Sequence, residues 1–168
     1  MPSATEEFRE AIVELLPRLR RLARALAGNV HEADDLVQIT IERALLRAGQ
    51  WRTDSPLPSW MFAILRNAWI DEGRGRRRRS RVLVAEELGE NIEDPRADTY
   101  ADALSVQAAV SQLSEEQREV IGLVLVEGLS YKEAAQVMGV PMGTVTSRLA
   151  RAREALQSLL SAHGEANP

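Results

Sequence analysis

The side chains of this sequence best placed to do chemistry are hydroxyls and guanidiniums gathered near its C-terminus. In GTVTSRLARAREAL, residues 143 to 156, the helical spacing puts Val145, Leu149 and Ala152 on one side. Thr144, Thr146, Ser147, Arg148 and Arg151 are left on the other. Hydroxyls suit phosphates or base edges, and arginine suits guanine or phosphate, so the chemistry indicated is recognition of a nucleic acid. Nothing indicates bond-making: no nucleophile lies beside a general base and no glycine loop is built to cradle a phosphate. The chain has no Cys, and its two His, His31 and His163, are far apart. Disulfides, thiol catalysis and cysteine-bound metals are thereby excluded, and neither a metal nor a cofactor is expected.

The recognition face needs a scaffold, and SYKEAAQVMGVP at 130 to 141 supplies one. A short helix from Tyr131 to Met138, a turn at Gly139 to Pro141 and a longer helix from about Gly143 make a helix-turn-helix, whose second helix can enter a major groove. A small bundle with a solvated basic face is the plainer reading of the same pattern. Ser114 with Gln117, and Ser130 with Glu133, have the spacing of capping boxes at helix starts. Val120, Ile121, Val124 and Leu125 form an apolar stripe that ends at Gly128, and Ala134, Ala135 and Met138 form the next.

Towards the N-terminus, Ile12, Leu15, Leu16, Leu19, Leu22, Ala23 and Leu26 recur at helical spacing, with Pro17 expected to kink or split the helix and Gly28 to stop it. Asn29 followed by Glu32 resembles a capping box for a second helix burying Leu36, Val37, Ile41, Ala44 and Leu45. A third, from about Ser59 to Asp71, carries Trp60, Phe62, Ile64, Leu65 and Trp69, and Gly73 and Gly75 obscure its end. No stretch alternates as a strand does.

The net charge of −4 would discourage a nucleic-acid partner if it were evenly spread, but it is segregated. Residues 74 to 81, RGRRRRSR, hold six Arg and no acid, whereas 82 to 103 hold seven acids against Arg96 alone. Helical periodicity fades in the acidic stretch. The fold expected is therefore all-α, with two small helical domains at 1–81 and 104–168 joined by a flexible acidic linker at 82–103. The opposed charges of 74–81 and 82–103 predict that the free chain closes compactly. No run of eighteen apolar residues appears and the N-terminus MPSATEEFRE is acidic, so membrane insertion and secretion are not expected and the location is cytoplasmic.

LSEEQREVIGLVLVEGLSYKEAAQVMGVPMGTVTSRLARAREAL resembles region 4 of the extracytoplasmic-function (ECF) sigma factors, which reads the −35 promoter element. EADDLVQITIERAL at 32 to 45 resembles their region 2 helix that docks on the clamp of the RNA polymerase largest subunit. PSWMFAILRNAWIDEGRGRRRR at 58 to 79 resembles the part of region 2 that engages the −10 element as the duplex opens. The resemblance implies core-polymerase contacts at Asp34, Asp35, Leu36, Gln38 and Glu42. It implies −10 contacts at Trp60, Arg66, Asn67, Asp71, Arg74, Arg76 and Arg77, and −35 contacts at Thr144, Thr146, Ser147, Arg148 and Arg151. Many relatives carry a basic residue at Thr146 and a bulkier one at Ala150, so base preference does not carry over. Taken alone, Asp34 and Asp35 are equally an ordinary solvated acidic face, and the tryptophans equally a core.

The implied function is a non-catalytic specificity subunit with core RNA polymerase, duplex promoter DNA and its melted single strand as partners, acting in a stress response under an anti-sigma factor. About 22 linker residues at ~3.3 Å each reach roughly 70 Å, equivalent to about 20 base pairs at ~3.4 Å rise. One chain can thus touch both promoter boxes. A conventional repressor or activator would leave the 32–45 and 58–79 segments without a purpose. A sigma mimic that only sequesters an anti-sigma factor would not need its basic runs.

Overall fold

The structure, a computed structural model, describes residues 1–83 and 101–165, with side chains described for 1–78 and 106–164. Among these residues all regular structure is helical. Helix α1 (Ala4–Ala27) opens on a complete capping box, Ser3 with Glu6, and ends at Gly28. It buries Phe8, Ile12, Leu19, Leu22, Ala23 and Leu26 and runs unbroken through Pro17. The expected split does not occur. Proline removes the hydrogen bond to the carbonyl four residues back, here that of Val13, a residue that is 62% exposed, so water can replace the lost donor.

Helix α2 (Val30–Leu46) is capped by the Asn29 side chain, which accepts from the Glu32 N–H at 2.9 Å. Glu32 does not complete a box, because its carboxylate is drawn to Arg76 at 2.5 Å. Ala33, Leu36, Val37, Thr40 and Ala44 face the core. Leu45, expected inside, is 43% exposed, and Thr40 takes the inner position by donating its hydroxyl to the Leu36 carbonyl at 2.7 Å. A 3₁₀ turn (Ala48–Gln50) leads to α3 (Leu57–Leu83), which passes through Gly73 and Gly75 without a break and overruns the expected end.

Helix α4 (Ala101–Gln112) follows, so the expected linker loses residues at both ends to helices; its remaining part, 84–100, lies outside the described residues. Helix α5 (Glu115–Val120) starts on the Ser114–Gln117 box and passes directly into a π-helical turn (Ile121–Val126). The wider π turn shifts the phase of the apolar stripe. Ile121, Gly122 and Leu123 are buried, while Val124 is half-buried and Leu125 45% exposed, in place of the regular Val120, Ile121, Val124, Leu125 stripe. Helices α6 (Tyr131–Met138) and α7 (Met142–Glu165) complete the chain.

The two halves share one core. Leu22 of α1 and Leu65 of α3 belong to the same buried cluster as Ile121, Leu123, Val145 and Leu149. A Cβ on Gly122 would come 2.8 Å from Leu22 Cδ1 and 3.6 Å from Ala25 Cβ, so only glycine lets the π turn lie this close to α1. Glu127 is buried at the same seam between Arg18 (2.9 Å) and Arg21 (3.3 Å). The chain is thus closed through α1 and α3 against α5 and the π turn; most of the acidic stretch whose charge suggested closure lies outside the described residues.

Candidate nucleic-acid interface

Helix α6 begins on the Ser130–Glu133 box, in which the Ser130 N–H holds the Glu133 carboxyl below its ordinary pKa. It ends at Gly139, whose φ of 66° lies in the left-handed region that other residues enter at a cost. That turn sets α7 across α6. Val145, Leu149 and Ala152 anchor α7 from below, each 2% exposed or less. Thr146, Ser147 and Arg151 are exposed, and Thr144 is half-buried. Thr146 donates its hydroxyl to the Met142 carbonyl and Ser147 to the Thr144 carbonyl, both at 3.1 Å. Their hydrogens are committed to the helix, so their free lone pairs present acceptors outward. Arg148 folds back to Glu116 of α5 at 3.4 Å, whereas Arg151 makes no ion pair among the described residues.

A second surface lies between α1 and α2. Asp34, Gln38 and Glu42 stand along one wall of a groove, Arg20 and Arg24 along the other, and Leu16, Val37 and Ile41 form the floor. Gln38 donates to Glu42 at 3.4 Å. Asp35 and Leu36 are not in this groove; they line a separate cleft with Glu32, Trp69, Glu72 and Arg76. Sequence reading treated Asp34 and Asp35 as one face and missed Arg20 and Arg24, whose only signal was their four-residue spacing, which puts both on one side of α1.

Along α3 the candidates divide again. Asn67 and Arg74 are exposed, and Asp71 pairs with Arg43 at 2.9 Å. Trp60 is half-buried, edge-on to Phe8 at 6.1 Å between ring centres, which makes it a core contact. Arg66 and Arg77 face α5 and are ion-paired with Glu119 and Glu115 there. Burial pushes the Glu119 carboxyl above its ordinary pKa, an effect only partly offset by Arg66. Arg118 donates to the Leu26 carbonyl at 2.9 Å and lies 5.9 Å over the Trp69 ring. None of these seam contacts of α5 was legible beforehand.

Residues 103–156 match the family model for Sigma-70, region 4, and residues 12–66 match that for the Sigma2 domain of PhyR. Over 160 residues the chain is 37% identical to the ECF RNA polymerase sigma factor EcfG of Rhodopseudomonas palustris, covering 95% of this chain and 88% of that protein. The chain belongs to the ECF RNA polymerase sigma factors. This sigma factor is similar in structure to the sigma factor RpoE in complex with the anti-sigma factor NepR from Bartonella quintana, with a TM-score of 0.81 at 34% identity over 92% of this chain and 97% of that one. It is also similar to CnrH in complex with the cytosolic domain of CnrY, with a TM-score of 0.68 at 29% identity over 92% and 88% of the two chains. Like its relatives, this sigma factor directs transcription by RNA polymerase. Among its described residues, no helix is long and apolar enough to cross a membrane.

Proposed function

We propose that this ECF sigma factor divides its work between the half that ends with α3 and the half that begins with α4, with the residues between them, 84–100, as the tether. The α1–α2 groove, with acids on one wall, arginines on the other and an apolar floor, receives a helix of the polymerase clamp bearing both charges. Asn67, Arg74 and the arginines of α3 hold the melted −10 strand, by stacking bases on guanidinium planes and by neutralising phosphates. Helix α7 enters the −35 major groove with Thr144, Thr146, Ser147, Arg148 and Arg151. The protein works in the cytoplasm, where an anti-sigma factor restrains it until a stress signal arrives; the complex of its structural relative RpoE with NepR supports that control.

The observation that carries this reading is the orientation of α7. Its apolar side is locked under α6 while its hydroxyl and guanidinium side faces outward, on the same chain as a groove walled by both charges. The test is transcription from a library of genomic fragments by sigma-free core polymerase with the purified protein added. Start-site-selective transcripts sharing two spaced boxes are expected; transcripts indistinguishable from those of core alone would overturn the assignment.

A further inference from the structure

The groove between α1 and α2 carries charges that its own chain leaves unused. Arg20 and Arg24 on one wall, and Asp34 and Glu42 on the other, are exposed, and none of them enters an ion pair among the described residues. Only Gly28 and Asn29 join the two helices, which pack along each other. At an equal rise of about 1.5 Å per residue on either side of that turn, Arg24 lies level with Asp34, Arg20 with Gln38 and Val13 with Leu45. Val13 precedes Leu16 by three positions and Leu45 follows Ile41 by four, so both continue the floor of the groove. Charge thus dominates the end nearest the turn, and the far end is apolar: Val13 is 62% and Leu45 43% exposed.

We propose that this surface pairs with a second copy of the chain. A half-turn about an axis along the groove lays α1 of each copy over α2 of the other, at the same height. Arg20 and Arg24 of one copy then face Asp34, Gln38 and Glu42 of the other, the same contacts recur across the axis, and Val13 meets Leu45. A two-fold contact needs one patch complementary to itself, and a groove with bases on one wall and acids on the other is such a patch. An unrelated partner has to carry both signs in matching order, whereas a second copy carries them by construction. The charged end fixes the register and the apolar end adds an attraction that salt does not screen. This pairing is separate from the docking proposed above. Where the clamp helix uses the same groove, polymerase and second copy exclude each other, and the dimer holds the sigma factor away from core.

Analytical ultracentrifugation of the full chain tests the pairing. Between about 5 and 300 µM the average mass is expected to rise from that of one 18.6 kDa chain towards twice that value. Two charge-reversed proteins, Arg20→Glu with Arg24→Glu and Asp34→Lys with Glu42→Lys, change only exposed side chains. Each alone is expected to stay monomeric, because like charges then face each other across the axis. An equimolar mixture of the two is expected to associate again, because the acidic α1 of one meets the basic α2 of the other. Val13→Asp, at the apolar end, should weaken the wild-type association at least about fivefold. A wild-type chain that stays monomeric throughout overturns the pairing and leaves the groove to the clamp alone. Association that survives both charge reversals belongs to another surface and overturns it too, as does a mixture of helical variants that fails to associate. No polymerase is present, so a result against the dimer leaves the clamp assignment standing.

Discussion

Arg66 of α3 donates its Nε–H to Oε1 of Glu119 in α5, joining residues 53 positions apart through a carboxylate that is almost wholly buried. Because burial outweighs the attraction of Arg66, this carboxyl sits above its ordinary value of 4.5 in the folded chain. A group raised on folding favours the fold most fully below its unfolded pKa, and loses that contribution as pH rises through the folded one.

Stability is therefore expected to fall as pH rises from 4.5 through the raised pKa of Glu119, in the component due to this residue. Glu119→Gln removes that component and leaves the midpoint of urea unfolding higher than wild type at neutral pH. Urea titrations of both proteins across this range check it. A mutant midpoint that fell with pH in parallel with wild type would show that the buried carboxyl does not set this dependence.

Glu127→Ala leaves two guanidiniums without their shared partner. Arg18 and Arg21 are 33% and 56% exposed, so water recovers part of the loss. The expected cost is about 1 to 2 kcal/mol of stability. Chemical denaturation measures it, and a loss no larger than that for Arg52→Ala, in an exposed pair, would place Glu127 outside the structural seam.

On α7 the two arginines are unequal. Arg151→Ala should weaken binding to a −35 duplex by about 1 to 3 kcal/mol if its guanidinium holds a base edge. Glu116→Gln releases Arg148 from an exposed pair and should tighten duplex binding by less than about 1 kcal/mol. Fluorescence titration at fixed salt distinguishes these, and tighter binding by the Arg151→Ala protein would remove that residue from the interface.

The separation of Asp34 from Asp35 gives a graded prediction for the polymerase. Asp34→Lys with Glu42→Lys turns one wall of the α1–α2 groove basic and should weaken assembly with core at least about tenfold. Asp35→Lys, which lies in the other cleft, should have a smaller effect. Gel-filtration assembly with core polymerase reads both; a larger loss from Asp35→Lys would move the docking surface to the cleft beside Trp69.

The sequence by itself determined the elements whose causes are local. The Ser114–Gln117 and Ser130–Glu133 boxes act over three residues, the turn at Gly139 over one, and the α7 anchors Val145, Leu149 and Ala152 repeat within two turns. These interactions need only neighbours along the chain, and they sufficed to outline α6 and α7. Tertiary structure alone decided which half of each pattern was used. The π turn rotated the stripe after Val120, Thr40 displaced Leu45 from the inner face, and Asp34 and Asp35 parted into two clefts. The pairings of Arg66 with Glu119, and of Arg18 and Arg21 with Glu127, join residues 53 to 109 positions apart. Such contacts leave no periodic trace, because they depend on how close two helix surfaces come; here a missing side chain at Gly122 sets that distance.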